Sequence, residues 1–425
     1  MKNVILITKE VLRRDFLGCY QKENLGQTPN IDKLASKGTI FHNHYTAAPS
    51  TAMSITSMFS GLNIFELNRK SYTEVEQFDQ TETLFSLFEN QGYDTHVIWP
   101  ENYRAMAWTY SKVFSENTIW HELSGVSSHI KGEFFSNYPE DPKSYLKFSE
   151  EVSKVISTAE KPVFIWMHLP HALNPSEGIG QDMNLFDEIV GNVSNSFDGD
   201  IYLSGDHGTL HGENNLFNYG WHLNEGVTKV PFIAPNIFEN KDIEKPTSHI
   251  QLIDLIFRNS LNFNKYVYSD TQYYTQPDRK LMIIKNNFKY IYNKKERSEE
   301  FYDLSVDPFE TVNLLTDNWY SAKRQVTFPL DRIYSYPNWN EAREAYLELK
   351  KEKDRIWREG KFLEYNFLFI KSLFTSWISE IKSKGILRFF RNQLVNNLII
   401  ANKKIRYLDQ PVTQGRWGCN RARVI

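Results

Sequence analysis

Cysteine is nearly missing from this chain, with Cys19 and Cys419 the only two among 425 residues. So spaced, they provide neither a disulfide framework nor paired metal ligands, and they read as free thiols of a reducing compartment. Long apolar runs are lacking too. No stretch reaches about 18 apolar residues without a charge, so a membrane-spanning helix is not expected. The chain opens on a strand-like run rather than a basic segment, an apolar stretch and a small-residue cleavage site. Nor is there a surplus of positive charge: 49 Lys and Arg stand against 52 Asp and Glu, a formal net charge of −3. A dedicated nucleic-acid binder shows the opposite bias. Neither an internal repeat nor a low-complexity linker interrupts the chain. The expectation is a cytoplasmic protein with no nucleic-acid partner.

What is present is a core-forming composition, 41% hydrophobic and 24% charged. Over residues 1–265, short apolar runs alternate with segments of helical spacing. Asn3 to Ile7, Thr39 to Phe41, Thr95 to Trp99, Val163 to Met167, Asp200 to Ser204 and Val230 to Ala234 read as strands. Thr28 to Ala35 reads as a capped helix with Pro29 in its first turn, stopped by Gly38, and Leu84 to Phe88 as another helix. This alternation predicts an α/β fold, a mainly parallel sheet sandwiched by helices. Over 266–315 the pattern changes. Leu281 to Ile284 and Phe288 to Tyr292 flank a turn at Lys285-Asn286-Asn287, with Phe301 to Leu304 as a third strand, which predicts a small antiparallel C-terminal subdomain. Residues 316–425 read as a helical extension. Glu341 to Gly360 suits a solvated helix. Lys361 to Arg406 interleaves aromatics such as Phe362, Trp377 and Phe389 with lysine and arginine, so it can pack on the catalytic domain or lie on an anionic membrane surface as a peripheral contact.

Chemistry concentrates at strand ends. The first strand runs into Thr8-Lys9-Glu10, and a later one ends in Gly205-Asp206-His207-Gly208. Between them, Pro49-Ser50-Thr51-Ala52-Met53-Ser54 carries a hydroxyl where a loop enters a helix. A carboxylate, a carboxylate–imidazole pair and a hydroxyl at such ends can meet at the carboxyl edge of a parallel sheet. Such a set can bind a divalent cation and make Thr51 a nucleophile. Three oxygens and one nitrogen, from Glu10, Thr51, Asp206 and His207, are acceptable to one Zn²⁺ or Mn²⁺.

The segments Asn3 to Tyr20, Thr28 to Ala35, Ser204 to Asn214 and Val230 to Ile233, followed by Lys289 to Tyr292 and Phe301 to Leu314, resemble in order the blocks of the sulfatase branch of the alkaline phosphatase superfamily. The resemblance covers about residues 1–315 and implies that branch's fold. At the nucleophile the chain departs from it. Sulfatases carry a cysteine or serine, matured to formylglycine, followed by proline and arginine. Here Thr51-Ala52-Met53-Ser54-Ile55 has threonine, and neither of the other two residues. Threonine cannot become the aldehyde hydrate that cleaves sulfate esters. The stretch is similar instead to the threonine motif of phosphoethanolamine transferases. Lipoteichoic acid synthases also use threonine there, and in both groups the first metal ligand is a glutamate, as Glu10 is here. The resemblance further implies that His171 contacts the transferred group and can protonate a leaving oxygen. Tyr219 and His222 fall where relatives contact the phosphoryl group, and Lys9 is placed to compete for the Glu10 carboxylate or to bind an anionic substrate.

The expected function is metal-dependent transfer of a phosphoryl-linked group, through Thr51, from a phosphoester to a hydroxyl acceptor that is a glycan or lipid-linked. Two alternatives stay open: a phosphodiester or phosphonate ester hydrolase, and a catalytically inactive sulfatase-like binding protein.

Overall fold

The structure is a computed structural model. It describes residues 1–21, 28–67, 82–101, 113–126, 141–170, 175–238, 241–271, 279–315 and 339–359. His171 and the basic-aromatic stretch Lys361 to Arg406 lie outside the described residues.

The centre is a nine-stranded sheet. Its strands are β1 (Asn3–Lys9), β2 (Thr39–Tyr45), β3 (Asp94–Pro100), β4 (Ile119–Leu123), β5 (Val163–Leu169) and β6 (Gly199–Gly205). After the short hairpin strands β7 (Leu210–His211) and β8 (Phe217–Asn218) follow β9 (Lys229–Ala234), β10 (Asp242–Ile243) and β11 (Thr247–Ser248). The order is β10-β2-β9-β6-β1-β5-β3-β4, with β11 also on β2. β1 pairs in parallel with β5 and β6, and β3 with β4 and β5. The exception is β9, antiparallel to both β2 and β6. Strand β4 escapes sequence reading because Ile119-Trp120-His121-Glu122-Leu123 is an edge strand with half-exposed positions and no apolar run.

Each sheet face is covered, as parallel sheets require. Val4, Leu6, Trp99, Phe164 and Trp166 pack under helices α2 (Thr51–Ser60) and α3 (Leu84–Asn90). Their neighbours in sequence, Ile5, Ile7, Ile98, Ile165 and Met167, face the opposite way. There they meet α1 (Pro29–Lys37) and the helices Lys147–Thr158 and Pro175–Ser196. This two-residue alternation decides on which face each chemical group of β1 lies.

A four-stranded antiparallel sheet follows: β12 (Val267–Asp270), β13 (Lys280–Lys285), β14 (Phe288–Asn293) and β15 (Ser298–Asp303), in that order. The sequence suggests three of these strands; β12 is the addition. The helix Trp339–Glu359 is solvated on one side only, because Ala342, Ala345, Tyr346, Leu349 and Ile356 recur at helical spacing and bury against β13 and β14. No helix among the described residues is long and apolar enough to cross a membrane.

Candidate active site at the carboxyl edge of the sheet

Register brings the strand ends together. Thr8 lies opposite Ser204 and Lys9 opposite Gly205, so Glu10 and Asp206 emerge side by side from adjacent parallel strands. Alternation then separates Lys9 from Glu10. The Lys9 side chain goes to the face of Ile5 and Ile7, where it is fully buried. Its ammonium is 2.8 Å from Asp182 and donates to the Pro170 carbonyl at 3.1 Å. The sequence-based expectation of a substrate contact is therefore corrected: this charge is committed to a buried ion pair under the sheet, and it does not compete for Glu10.

On the other face, α2 begins with Thr51. Its hydroxyl lies 3.2 Å from Nε2 of His207. The first turn is tied to β6 by Ser54, whose hydroxyl donates to the Asp206 carbonyl at 2.6 Å and lies 3.1 Å from His249 Nδ1. Burial lowers the His249 pKa to about 3, which keeps that imidazole neutral. Sequence reasoning missed both residues. Ser54 carries a usable signal, since a hydroxyl in a wholly buried helix must find a partner. His249 has none, arriving from a distant turn after β11.

Asp206 and His207 are both fully buried. Asp206 Oδ1 accepts from the Val11 N–H at 2.8 Å and the His207 N–H at 2.7 Å. Val11 reaches this position with φ of 57°, a left-handed conformation that is costly for a β-branched residue, on the order of 1–3 kcal/mol. The donated bond offsets part of that strain. Nothing in the sequence marks it. The other carboxylate oxygen, Oδ2, has no hydrogen-bond partner and lies 3.5 Å from His207 Nε2.

The tautomer of His207 makes this arrangement informative. Its Nδ1 is 2.9 Å from the Gly208 carbonyl and must donate to it, so in the neutral ring the lone pair is on Nε2. A buried carboxylate oxygen and a buried imidazole lone pair thus face each other, and Thr51 Oγ1 stands next to them. Nε2 thus has two potential metal-ligand oxygens around it, Thr51 Oγ1 at 3.2 Å and Asp206 Oδ2 at 3.5 Å. Among the described residues, no three His, Cys, Asp or Glu side chains gather as a cage for a metal ion. Instead the cluster offers one carboxylate, one imidazole and one hydroxyl. Glu10 leaves the adjacent strand end, one residue past the Lys9–Gly205 pair. His168 hydrogen-bonds Thr8 Oγ1 through Nδ1 at 2.9 Å, and burial lowers its pKa although Asp206 and Glu10 pull it upward.

Of the remaining predicted residues, Tyr219 lies over His207, ring centroids 4.4 Å apart. His222 is joined to Trp221, and burial together with the nearby Lys280 lowers its pKa to about 4. Among the described residues it makes no hydrogen bond, ion pair or ring contact with Thr51, Asp206 or His207. Arg13 is committed to Asp15 and Glu213, and so stabilises the loop after His207. That loop comes close enough that a side chain at Gly208 would meet the Gly226 carbonyl at 2.2 Å.

Residues 2–178 match the sulfatase family model. The matched stretch contains Glu10 and Thr51 and stops short of Asp206 and His207. An arylsulfatase of Clostridium perfringens is 34% identical over 96 residues, 23% of this chain and 20% of its own length. The chain thus aligns with about a fifth of that curated relative. A 2-O GAG sulfatase superposes with a TM-score of 0.62 at 18% identity, over 84% of this chain and 92% of the other. A phosphonate monoester hydrolase of Agrobacterium radiobacter does so with a TM-score of 0.60 at 13% identity, covering 84% and 96%. At these identities the likeness is one of fold: the chain has the α/β architecture of alkaline phosphatase/sulfatase-like proteins.

Proposed function

We propose that the protein is a metal-dependent hydrolase or transferase of phosphoesters, with Thr51 as the covalent nucleophile. The observation that carries this reading is the buried Asp206 Oδ2 facing His207 Nε2 at 3.5 Å beside the Thr51 hydroxyl. A buried carboxylate oxygen without a hydrogen bond is costly unless a cation joins it, and a metal ion seated between Oδ2 and Nε2 is such a cation. Asp206, His207 and Thr51 would hold it, with Glu10 leaving the adjacent strand end, and one Zn²⁺ or Mn²⁺ there would supply the positive charge that lets the Thr51 hydroxyl ionise near neutral pH.

Thr51 Oγ1 then forms the bond to phosphorus as the ester bond breaks and its oxygen leaves with the alcohol. Water or a second alcohol afterwards takes the group from Thr51, regenerating the hydroxyl. His171 is the proposed donor to the leaving oxygen, and Tyr219, over His207, borders the space the substrate enters. An acceptor alcohol on a glycan or a lipid-linked sugar suits the resemblance to phosphoethanolamine transferases. Water as acceptor makes the same site a phosphodiester or phosphonate ester hydrolase, a reading favoured by the likeness of fold to the phosphonate monoester hydrolase. Formylglycine chemistry is excluded by threonine itself.

Incubation with Mn²⁺, a labelled phosphodiester and candidate alcohols, followed by mass spectrometry, tests this. The expected result is a mass adduct on the peptide carrying Thr51, absent from Thr51→Ala, with release or transfer of the label lost in the same variant. Turnover by Thr51→Ala at the rate of the parent protein would refute the nucleophile.

A further inference from the structure

Helix α2 begins in an unusual state. All ten of its residues are buried, so its first-turn amides are cut off from bulk water. In any α-helix these amides lack intrahelical partners and look for a cap, water or a ligand. Ser50, at the capping position, is of the residue type that usually supplies this cap. Here it accepts no hydrogen bond from the helix. The Ser50 side chain is 1% exposed, and its hydroxyl has no hydrogen-bond partner. Looseness is not the reason, because the Ser54 N–H bonds the Ser50 carbonyl at 2.9 Å and the Ser54 hydroxyl locks the same turn to Asp206. The Ser50 arm is one carbon long, so its oxygen stays at this end of the helix, beside Thr51. A buried hydroxyl at the positive end of a helix, without an acceptor among the described residues, matches an anion that arrives from outside.

Charge points the same way. Among the described residues, the cations beside the first strand end are committed elsewhere, Lys9 to Asp182 and Arg13 to Asp15 and Glu213. The short motif around Thr51 contains no arginine. That leaves a place for a neutral donor to a non-bridging oxygen of a tetrahedral group attacked by Thr51. We propose that Ser50 Oγ, with the first-turn amides of α2, is the oxyanion seat of this site, and that the Ser50 hydroxyl donates to a non-bridging oxygen of the group transferred to Thr51. The inference rests on the reading of Thr51 as nucleophile and adds a residue that touches the substrate.

Inorganic phosphate, a free tetrahedral oxyanion, is the probe. Binding to the full chain with Mn²⁺ present is measured by calorimetry, and thermal unfolding is followed without phosphate. Ser50→Ala should weaken phosphate binding about 10- to 100-fold, the range for a hydrogen bond to a charged acceptor. It should also raise the melting temperature of the phosphate-free protein, because it deletes a buried hydroxyl left unpaired. A capping or packing role moves stability the other way. Ser50→Thr, which keeps the hydroxyl, should recover phosphate affinity to within a few-fold of the parent. Phosphate affinity unchanged in Ser50→Ala overturns the seat, as does a lowered melting temperature without phosphate. A parent chain that binds no phosphate at all overturns it too. If Thr51 still forms its adduct in any of these cases, only the role of Ser50 falls.

Discussion

Replacing Asp206 by asparagine should stabilise the metal-free protein while abolishing its response to metal. The two hydrogen bonds to Oδ1, from Val11 and His207, are kept by an amide oxygen. In place of Oδ2 comes an N–H₂ group, 3.5 Å from the lone pair of His207 Nε2. A facing pair of acceptors becomes a donor and an acceptor, and a small rotation closes the distance. A net hydrogen bond contributes about 1 kcal/mol, and a buried charge without full compensation is removed as well. With an unfolding entropy of about 2.1 cal/mol/K per residue, 1 kcal/mol over a chain of this size raises the melting temperature by roughly 1 °C. The parent protein should gain far more from metal: at a hundred times the dissociation constant, ligand linkage contributes about 2.7 kcal/mol, or roughly 3 °C. Differential scanning calorimetry with and without Mn²⁺ or Zn²⁺ measures both effects. Asp206→Asn that melts lower than the parent without metal, or shifts equally with metal, would refute the account of Oδ2.

Lys9→Met should destabilise by about 3–5 kcal/mol, because it removes the ammonium that balances the buried Asp182 carboxylate; urea unfolding measures this, and Lys9→Met/Asp182→Leu should recover much of the loss. With Lys9 under the sheet, its removal should leave the KM of the folded fraction unchanged. Acid should unfold the protein through His44 and His249, whose pKa values burial depresses, with each also lowered by a histidine nearby. Both imidazoles are neutral when folded, whereas the unfolded chain takes up protons below about 6.5. Stability is therefore fully present above that pH and falls by up to about 1.4 kcal/mol per pH unit for each group as pH drops toward the folded pKa, about 3 for His249. Urea titrations at pH 7 and pH 5 should show the drop, with a shallower slope in His44→Gln; an equal slope would remove His44 from the account.

Much of the frame was legible in the chain because burial imposes a pattern. Parallel strands covered on both faces must be apolar along their length, so Val4 to Ile7 and Val163 to Met167 stand out against any background. Edge strand β4 and the four-residue β12 do not, since little of their surface needs hiding. Orientation was also out of reach: the run from Val230 to Ala234 reads alike in either direction, and only its place between β2 and β6 shows that it runs antiparallel to both.

The candidate site divides along the same line. Residue order alone settled that Glu10, Thr51, Asp206 and His207 hang from strand ends and a helix start, because turns after apolar runs must surface at a sheet edge. It also settled that threonine, and no formylglycine precursor, stands at position 51. Tertiary structure decided which way each group points. Alternation along β1 sent Lys9 into an ion pair with Asp182 beneath the sheet. Buried neighbours took up Oδ1 of Asp206 and Nδ1 of His207, leaving Nε2 to Thr51 and Oδ2 without a partner. Which polar atoms remain unsatisfied depends on neighbours tens to hundreds of residues away, and a linear pattern carries no record of them.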